Sequence, residues 1–260
     1  MEISRRTAMK QGLVLCGAFA LPNILYAQEI TTDQVPLAYE VEGGQVVIHP
    51  VDHASMVLET PAGVIYVDPV GGAEKYRNLP APMLILITHE HGDHFDLPTL
   101  QALPQVRMIT NQAVHDLLPE EMKSRATVMA NGEQASVEGI NIEAVPAYNT
   151  TEDRMQYHPK GRDNGYVLTI GGHRFYIAGD TEDTPEMRAL EDIEVAFLPM
   201  NLPYTMTVQQ AADAVAAFKP KVVYPYHHRG SDLAEFTSLV ETSGADSKVV
   251  IAEWYPDGEG

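Results

Sequence analysis

Hydrophobic residues in the first half of this chain come in short runs broken by Pro and Gly, with little helical periodicity. Residues 45–49, 55–60 and 63–68 are rich in β-branched side chains and predict three strands. Residues 83–88 form an uninterrupted apolar run, the pattern of a strand covered on both faces, which leads directly into a cluster of histidines. Residues 98–103 and 111–118 read as short helices. Residues 135–145 predict a hairpin turning at Glu138-Gly139, and 166–170 with 174–178 predict a second across Gly171-Gly172.

The second half alternates between helix and strand. Thr184-Pro185 supplies an N-cap and a first helical position for a helix to Leu190. Residues 195–198 read as a buried strand. Thr207-Val208-Gln209-Gln210 is a capping box that opens an Ala-rich helix to about Lys219. A strand over 222–224 follows, then a helix over 232–242 closed by Gly244, then a last strand over 248–252. Strands first and alternation afterwards predict an α/β fold in which two sheets are sandwiched between helices (αββα). No Pro/Gly/Ser-rich linker divides residues 28–260, which therefore read as one domain.

Residues 1–27 read as an export signal. Arg5, Arg6 and Lys10 form a basic start, a short apolar run reaches Leu21, and Leu25-Tyr26-Ala27 resembles a cleavage site before Gln28. The run is shorter than the ~20 apolar residues that a spanning helix needs, so no stable membrane anchor is expected. Ser4-Arg5-Arg6-Thr7-Ala8-Met9-Lys10 matches the twin-arginine pattern, with Ala8 where a larger apolar residue is usual. An ordinary secretory signal holding two arginines is the alternative. Either route makes the export machinery a partner and the periplasm or exterior the destination. The single cysteine, Cys16, lies inside this segment, so the mature chain has no disulfide, and any metal must be held by His, Asp or Glu. The net charge of −19 repels polyanions and argues against nucleic acid without pointing to any particular partner, since an acidic surface also keeps an exported protein soluble; a small-molecule substrate is expected.

The chemistry concentrates in His89-Glu90-His91-Gly92-Asp93-His94. In an extended segment His89 and His91 point the same way and can grip one ion. Asp93 and His94 turn toward a second ion as the loop curls at Gly92. Imidazole with carboxylate suits zinc, manganese or iron.

This cluster, together with Val67-Asp68-Pro69, Ala178-Gly179-Asp180-Thr181 and Tyr224-Pro225-Tyr226-His227, resembles the metallo-β-lactamase superfamily over most of residues 45–255. Ala147-Tyr148-Asn149, His158-Pro159-Lys160-Gly161 and Leu202-Pro203-Tyr204-Thr205-Met206 resemble the branch that contains L-ascorbate-6-phosphate lactonase. The resemblance implies the family's four-layer fold and two divalent metal ions, zinc first, with manganese or iron as alternatives. It implies that His89, His91 and a third histidine hold one ion, that Asp93, His94 and His227 hold the other, and that Asp180 bridges them. Many relatives place the third histidine where this chain has Ala147-Tyr148-Asn149. His158, the only histidine between His115 and His173, is the candidate for that role; binding substrate or lying on the surface are its alternatives. Asp68 is implied to orient the cluster loop. His53 either lines the rim or is a plain loop residue. His228 competes with His227, which the family pattern favours. Tyr148, Lys160 and Tyr204 are candidate substrate contacts, Lys160 equally a solvated cation, and Met206 reads as packing.

The implied reaction is hydrolysis of a lactone, ester or related bond by a metal-bridging hydroxide, with Asp93 or Asp180 passing a proton to the leaving group. Three other readings use the same residues. A phosphodiesterase or nuclease is opposed by the charge. A di-iron redox protein would usually carry Glu in place of His91. A non-catalytic binding protein would be expected to have lost ligands that are intact here.

Overall fold

The computed structural model describes residues 37–256 and 258. The export signal assigned to residues 1–27 lies outside the described residues.

Two seven-stranded sheets are built to the same plan. In the first, β1 (Ala38–Val41), β2 (Gly44–Asp52), β3 (Ser55–Thr60) and β4 (Gly63–Val67) form an antiparallel meander. To it β5 (Leu84–Leu86), β6 (Arg107–Thr110) and β7 (Ala126–Val128) are added in parallel. In the second, β8 (Gln134–Val137), β9 (Ile140–Ala147), β10 (Asp163–Ile170) and β11 (His173–Ile177) form the meander. There β12 (Ile193–Pro199), β13 (Val222–Tyr226) and β14 (Lys248–Val249) are the parallel additions. Parallel neighbours need crossovers. These carry α1 (Leu97–Ala102), α2 (Gln112–Leu117) and α3 (Glu120–Lys123) on the first sheet. On the second they carry α4 (Pro185–Arg188), α5 (Val208–Phe218) and α6 (Leu233–Thr242).

The period-two alternation of strands explains the layers. Val67, Leu84, Leu86, Phe175, Ile177, Val195 and Phe197 point between the sheets, where they meet Tyr166, Tyr224, Tyr226 and Trp254. Their neighbours point outward. Tyr66, Ile85 and Ile87 pack on Leu100 of α1, Val114 of α2 and Met122 of α3, while Ala196, Leu198 and Val223 pack on Val215 of α5 and Phe236 of α6. Helix, sheet, sheet and helix make the four-layer αββα sandwich that the sequence predicted, and both faces of β5 are buried, as its continuous apolar run requires.

The local differences have physical reasons. Strands β1, β6 and β7 and helix α3 were not anticipated. They span three or four residues each, and their pairing is decided by distant partners. Helix α4 stops at Arg188 and not at Leu190, because the chain turns through Asp192 at φ 55° to enter β12. The last strand ends at Val249 and not at 252. Beyond it the chain leaves the edge so that Trp254 enters the space between the sheets, fully buried. The capping box at Thr207 is present, with Thr207 and Gln210 bonding each other's backbone N–H.

Gly165 of β10 meets its neighbour at a separation no other residue permits. A Cβ there would lie 2.5 Å from the carbonyl oxygen of Ala178 and 2.8 Å from that of Ile177. Gly165→Ala is expected to lower stability by about 1–3 kcal/mol, as overpacking does. Urea unfolding should show a lower midpoint at an unchanged slope.

Candidate metal centre

One edge of the sandwich collects the loops that matter. Asp68 follows β4, residues 88–94 follow β5, Asp180 follows β11 and His227 follows β13, all at the C-terminal ends of their strands. His53 sits in the turn between β2 and β3, and the pairing of Met56 with Val67 brings that turn to the same edge. Gly179 has φ 65°, and a Cβ on it would lie 2.8 Å from the carbonyl oxygen of Asn164; this tight glycine turn delivers Asp180 to the centre.

Asp180 is the hub. Its carboxylate lies 3.2 Å from His94 Nε2, 3.3 Å from His227 Nε2, 3.4 Å from His158 Nε2 and 3.9 Å from His89 Nε2. His91 Nδ1 approaches His158 Nε2 at 3.2 Å. Asp93 Oδ2 is 3.3 Å from His227 Nε2 and also 3.3 Å from His53 Nε2. Three ligand groups emerge among the described residues: His89, His91 and His158; His89, His94 and Asp180; and His53, Asp93 and His227. His228 turns away and stacks edge-on against Tyr255 at 4.9 Å.

Groups behind the rings decide which nitrogen faces inward. Thr88 Oγ donates to Asp68 Oδ2 at 2.6 Å, so its lone pair accepts the Nδ1–H of His89 at 3.1 Å. Asp68 also accepts the backbone N–H of Thr88 at 2.8 Å and the Nδ1–H of His94 at 2.8 Å. The backbone oxygen of Tyr204 accepts the Nδ1–H of His158 at 3.2 Å. His89 and His158 thereby direct a bare Nε2 lone pair at the centre, while His94, backed by Asp68, turns its Nε2 to Asp180 at 3.2 Å.

A metal fits this arrangement on the protein's own accounting. His89 Nε2, His94 Nε2, His227 Nε2 and Asp180 Oδ1 are buried without any hydrogen-bond partner. Buried polar atoms are almost always paired, and four orphaned ligand atoms that converge are what a cation satisfies.

The electrostatics agree. Burial opposes charge on Asp180, but His227, His94 and His89 around it hold its carboxyl well below the usual range. Burial works against Asp93 in the same way, and His227 and His53 outweigh it. Burial pushes His89 well down. It lowers His158 to about 4, against the pull of Asp180. Only His94 goes the other way: burial opposes its charge, but Asp180 and Asp68 on its two sides raise it well above the ordinary value.

His158 arrives on an insertion between β9 and β10, and a buried carboxylate that the sequence did not reveal secures that loop. Glu182 Oε2 accepts the backbone N–H and hydroxyl of both Thr150 and Thr151 at 2.7–2.9 Å, while Oε1 pairs with Arg154 at 2.6 Å. Asn149 Nδ2 donates to Tyr204 O at 2.7 Å, tying the loop to the one that holds the Nδ1 of His158. Nothing local marks Glu182, because Thr-Thr and Glu are ordinary loop residues until folding brings them together. Tyr148, Lys160 and Glu186 form a separate group. Tyr148 Oη donates to Glu186 at 2.8 Å, and Lys160 Nζ donates to both Tyr148 Oη (3.0 Å) and Glu186 (2.9 Å). Tyr204 is exposed beside Tyr157, and Met206 is buried in the core. Arg162, also unanticipated, pairs with Glu90 of the cluster at 2.9 Å and with Asp163 at 2.7 Å.

Two measurements check this account. Glu182→Ala strands the mostly buried Arg154, and is expected to cost about 3–5 kcal/mol by chemical denaturation, with metal affinity falling at the His158 side first. In the metal-free protein, an NMR titration of His158 should show a midpoint near 4. Because its folded value lies below the ordinary 6.5, the unfolded chain takes up the proton first as pH falls. The stability this group contributes is therefore complete above about pH 6.5 and declines toward pH 4.

Comparison with known proteins agrees with the geometry. The Beta-lactamase superfamily domain matches residues 47–227. A UPF0173 metal-dependent hydrolase of Pyrococcus abyssi is 32% identical over 178 residues, covering 65% of this chain and 77% of its own. One from Methanopyrus kandleri is 31% identical over 225 residues, covering 77% of this chain and 94% of its own. A solved Parabacteroides distasonis protein, described as a candidate metal-dependent hydrolase, is 43% identical with a TM-score of 0.76, covering 83% of this chain and 97% of that one. The chain belongs to the beta-lactamase superfamily, in the company of its metal-dependent hydrolases.

Proposed function

We propose that this metal-dependent hydrolase cleaves a lactone, ester or related bond of a small molecule with two divalent cations, zinc first, and manganese or iron as alternatives. The observation that carries the reading is the convergence of orphaned, buried ligand atoms on Asp180. His89, His91 and His158, which meet as one group, would hold one cation, and Asp93, His94 and His227, drawn together around Asp180, would hold the other, as the family resemblance implies. Bound there, the cations would supply a water acidic enough to attack at neutral pH and would polarise the electrophile.

The protein's own residues do the rest. Asp68 and Thr88 fix the ring orientations of His94 and His89, so the ligand set is organised before substrate enters. Asp180 is enclosed, whereas the Asp93 side chain is about half exposed at 48%. Asp93 is thus the carboxylate of the centre that a substrate can reach, and in this reading it carries the proton to the leaving group. The charge of −19 supports a small-molecule substrate over a nucleic acid. Lys160 already has its charge offset by Glu186, so a substrate anion would have to displace that partner. The resemblance to the ascorbate-phosphate lactonase branch makes lactones the first substrates to try.

Metal analysis of the purified chain should find about two transition-metal equivalents, as a dinuclear centre requires. Asp180→Ala should lose most of both, and hydrolysis should fall by at least ~100-fold, the scale of removing one well-placed electrostatic stabiliser. The reading is overturned by less than about one equivalent of bound metal together with no turnover of lactone, ester or phosphodiester substrates.

A further inference from the structure

His53, Asp93 and His227 bring three potential ligand atoms together, and by distance alone His53 is as good a metal ligand as its neighbours. Its ring lies 3.8 Å from that of His227, centroid to centroid, and Nε2 faces Asp93 Oδ2 at 3.3 Å. The residue is buried and held in the left-handed region at φ 48°, an unusual conformation for a residue with a side chain. Its backbone is tied on both sides, with its N–H donating to Trp254 O at 2.9 Å and its carbonyl accepting from the His227 N–H at 3.0 Å. The position is built, and the question is what Nε2 carries.

The answer lies behind the ring. His53 Nδ1 is 2.8 Å from Tyr255 Oη. That phenolic oxygen already accepts two backbone N–H groups, from His228 at 2.9 Å and from Arg229 at 3.0 Å. A phenol has one hydrogen, and with both lone-pair directions taken, that hydrogen points at His53 Nδ1. Nδ1 must then be the bare acceptor. A ring with hydrogen on both nitrogens would offer Tyr255 a third donor and leave its own hydrogen without a partner. The proton of the neutral imidazole is therefore on Nε2, facing Asp93.

This is the reverse of His89 and His158. Both have acceptors behind Nδ1 (Thr88 Oγ and the carbonyl of Tyr204) and aim a lone pair inward. His53 has a donor behind it and aims an N–H inward. We infer that His53 is a positioning residue, which donates its Nε2–H to Asp93 and is not a ligand of the second cation. The role suits Asp93, whose half-exposed side chain otherwise relies on the ligand His227 to hold it. It rests on the metal-centre reading above.

The test uses the full chain labelled with 15N-histidine, read metal-free and again loaded with 113Cd, with His53→Gln identifying the resonances of His53. Nε2 of His53 should be protonated and Nδ1 bare in both states, and cadmium should couple to other histidines but not to His53. In a chelator competition, His53→Ala should bind the second cation about 10-fold more weakly, the scale of losing a partner that orients a ligand. His53→Gln, which keeps an N–H donor but cannot switch tautomers, should regain most of that loss. Cadmium coupling to His53 Nε2, a proton on Nδ1, or an alanine variant that binds as tightly as the parent would each overturn the assignment. So would a folded glutamine variant no better than alanine. If His53→Ala fails to fold, the parent spectra and the glutamine variant still decide. A chain that takes up no cation overturns the metal centre itself, while the tautomer read on the metal-free protein still decides whether His53 presents a donor or a lone pair.

Discussion

A buried carboxylate surrounded by imidazoles that are mostly held neutral is the constraint from which the rest of this structure follows. Asp180 has almost no exposed surface, and its charge is offset chiefly by His94, which is held toward its protonated form with Nε2 3.2 Å away. An isolated carboxylate in that position would be very costly, and removing one partner of a buried ionic cluster is more damaging than removing both. Burial also keeps His89 and His158 from taking protons, which preserves the lone pairs that a cation needs. The same low-dielectric setting would favour a cation held by these groups, and binding one would add to the stability of the fold.

The tautomers are controlled from outside the ring of ligands. Asp68 stands at the centre of this control, because one buried carboxylate orients Thr88 and His94 directly and His89 through the threonine hydroxyl. Tyr204 does the same for His158 with a backbone carbonyl, and Tyr255 does the opposite for His53 with a hydroxyl hydrogen. Whether a histidine near such a centre is a ligand or a donor is settled by what lies on its far side, a distinction that proximity cannot make.

The repeated plan of the two sheets explains why so many distant segments meet. Each sheet has a meander followed by parallel strands, and parallel strands end at the same edge. The loops after β4, β5, β11 and β13 therefore converge. The segment between β9 and β10, residues 148–162, contains no helix or strand and is held by an anchor of its own. Glu182, two residues beyond Asp180, supplies it, so the strand end that delivers the hub also fastens the loop that delivers His158.

Much of this was legible in the chain. The alternation of apolar and polar residues set the strands, and the run 83–88 reads as a strand covered on both faces, as β5 is. The cluster from His89 to His94 marks residues that could hold a metal, because they are adjacent in sequence and their geometry is local. Short strands such as β6 and β7 were not legible, since three or four residues carry too little periodicity and their partners lie elsewhere. The roles of Glu182, Arg162 and Tyr255 were equally hidden, because each depends on atoms more than 20 residues away. Sequence by itself determined the layers and most of the ligand candidates, through residue type and spacing. Only the tertiary structure decided how His158 is held, why Lys160 is paired with Glu186, and which nitrogen of His53 carries its proton, because hydrogen-bond direction depends on which groups meet in space.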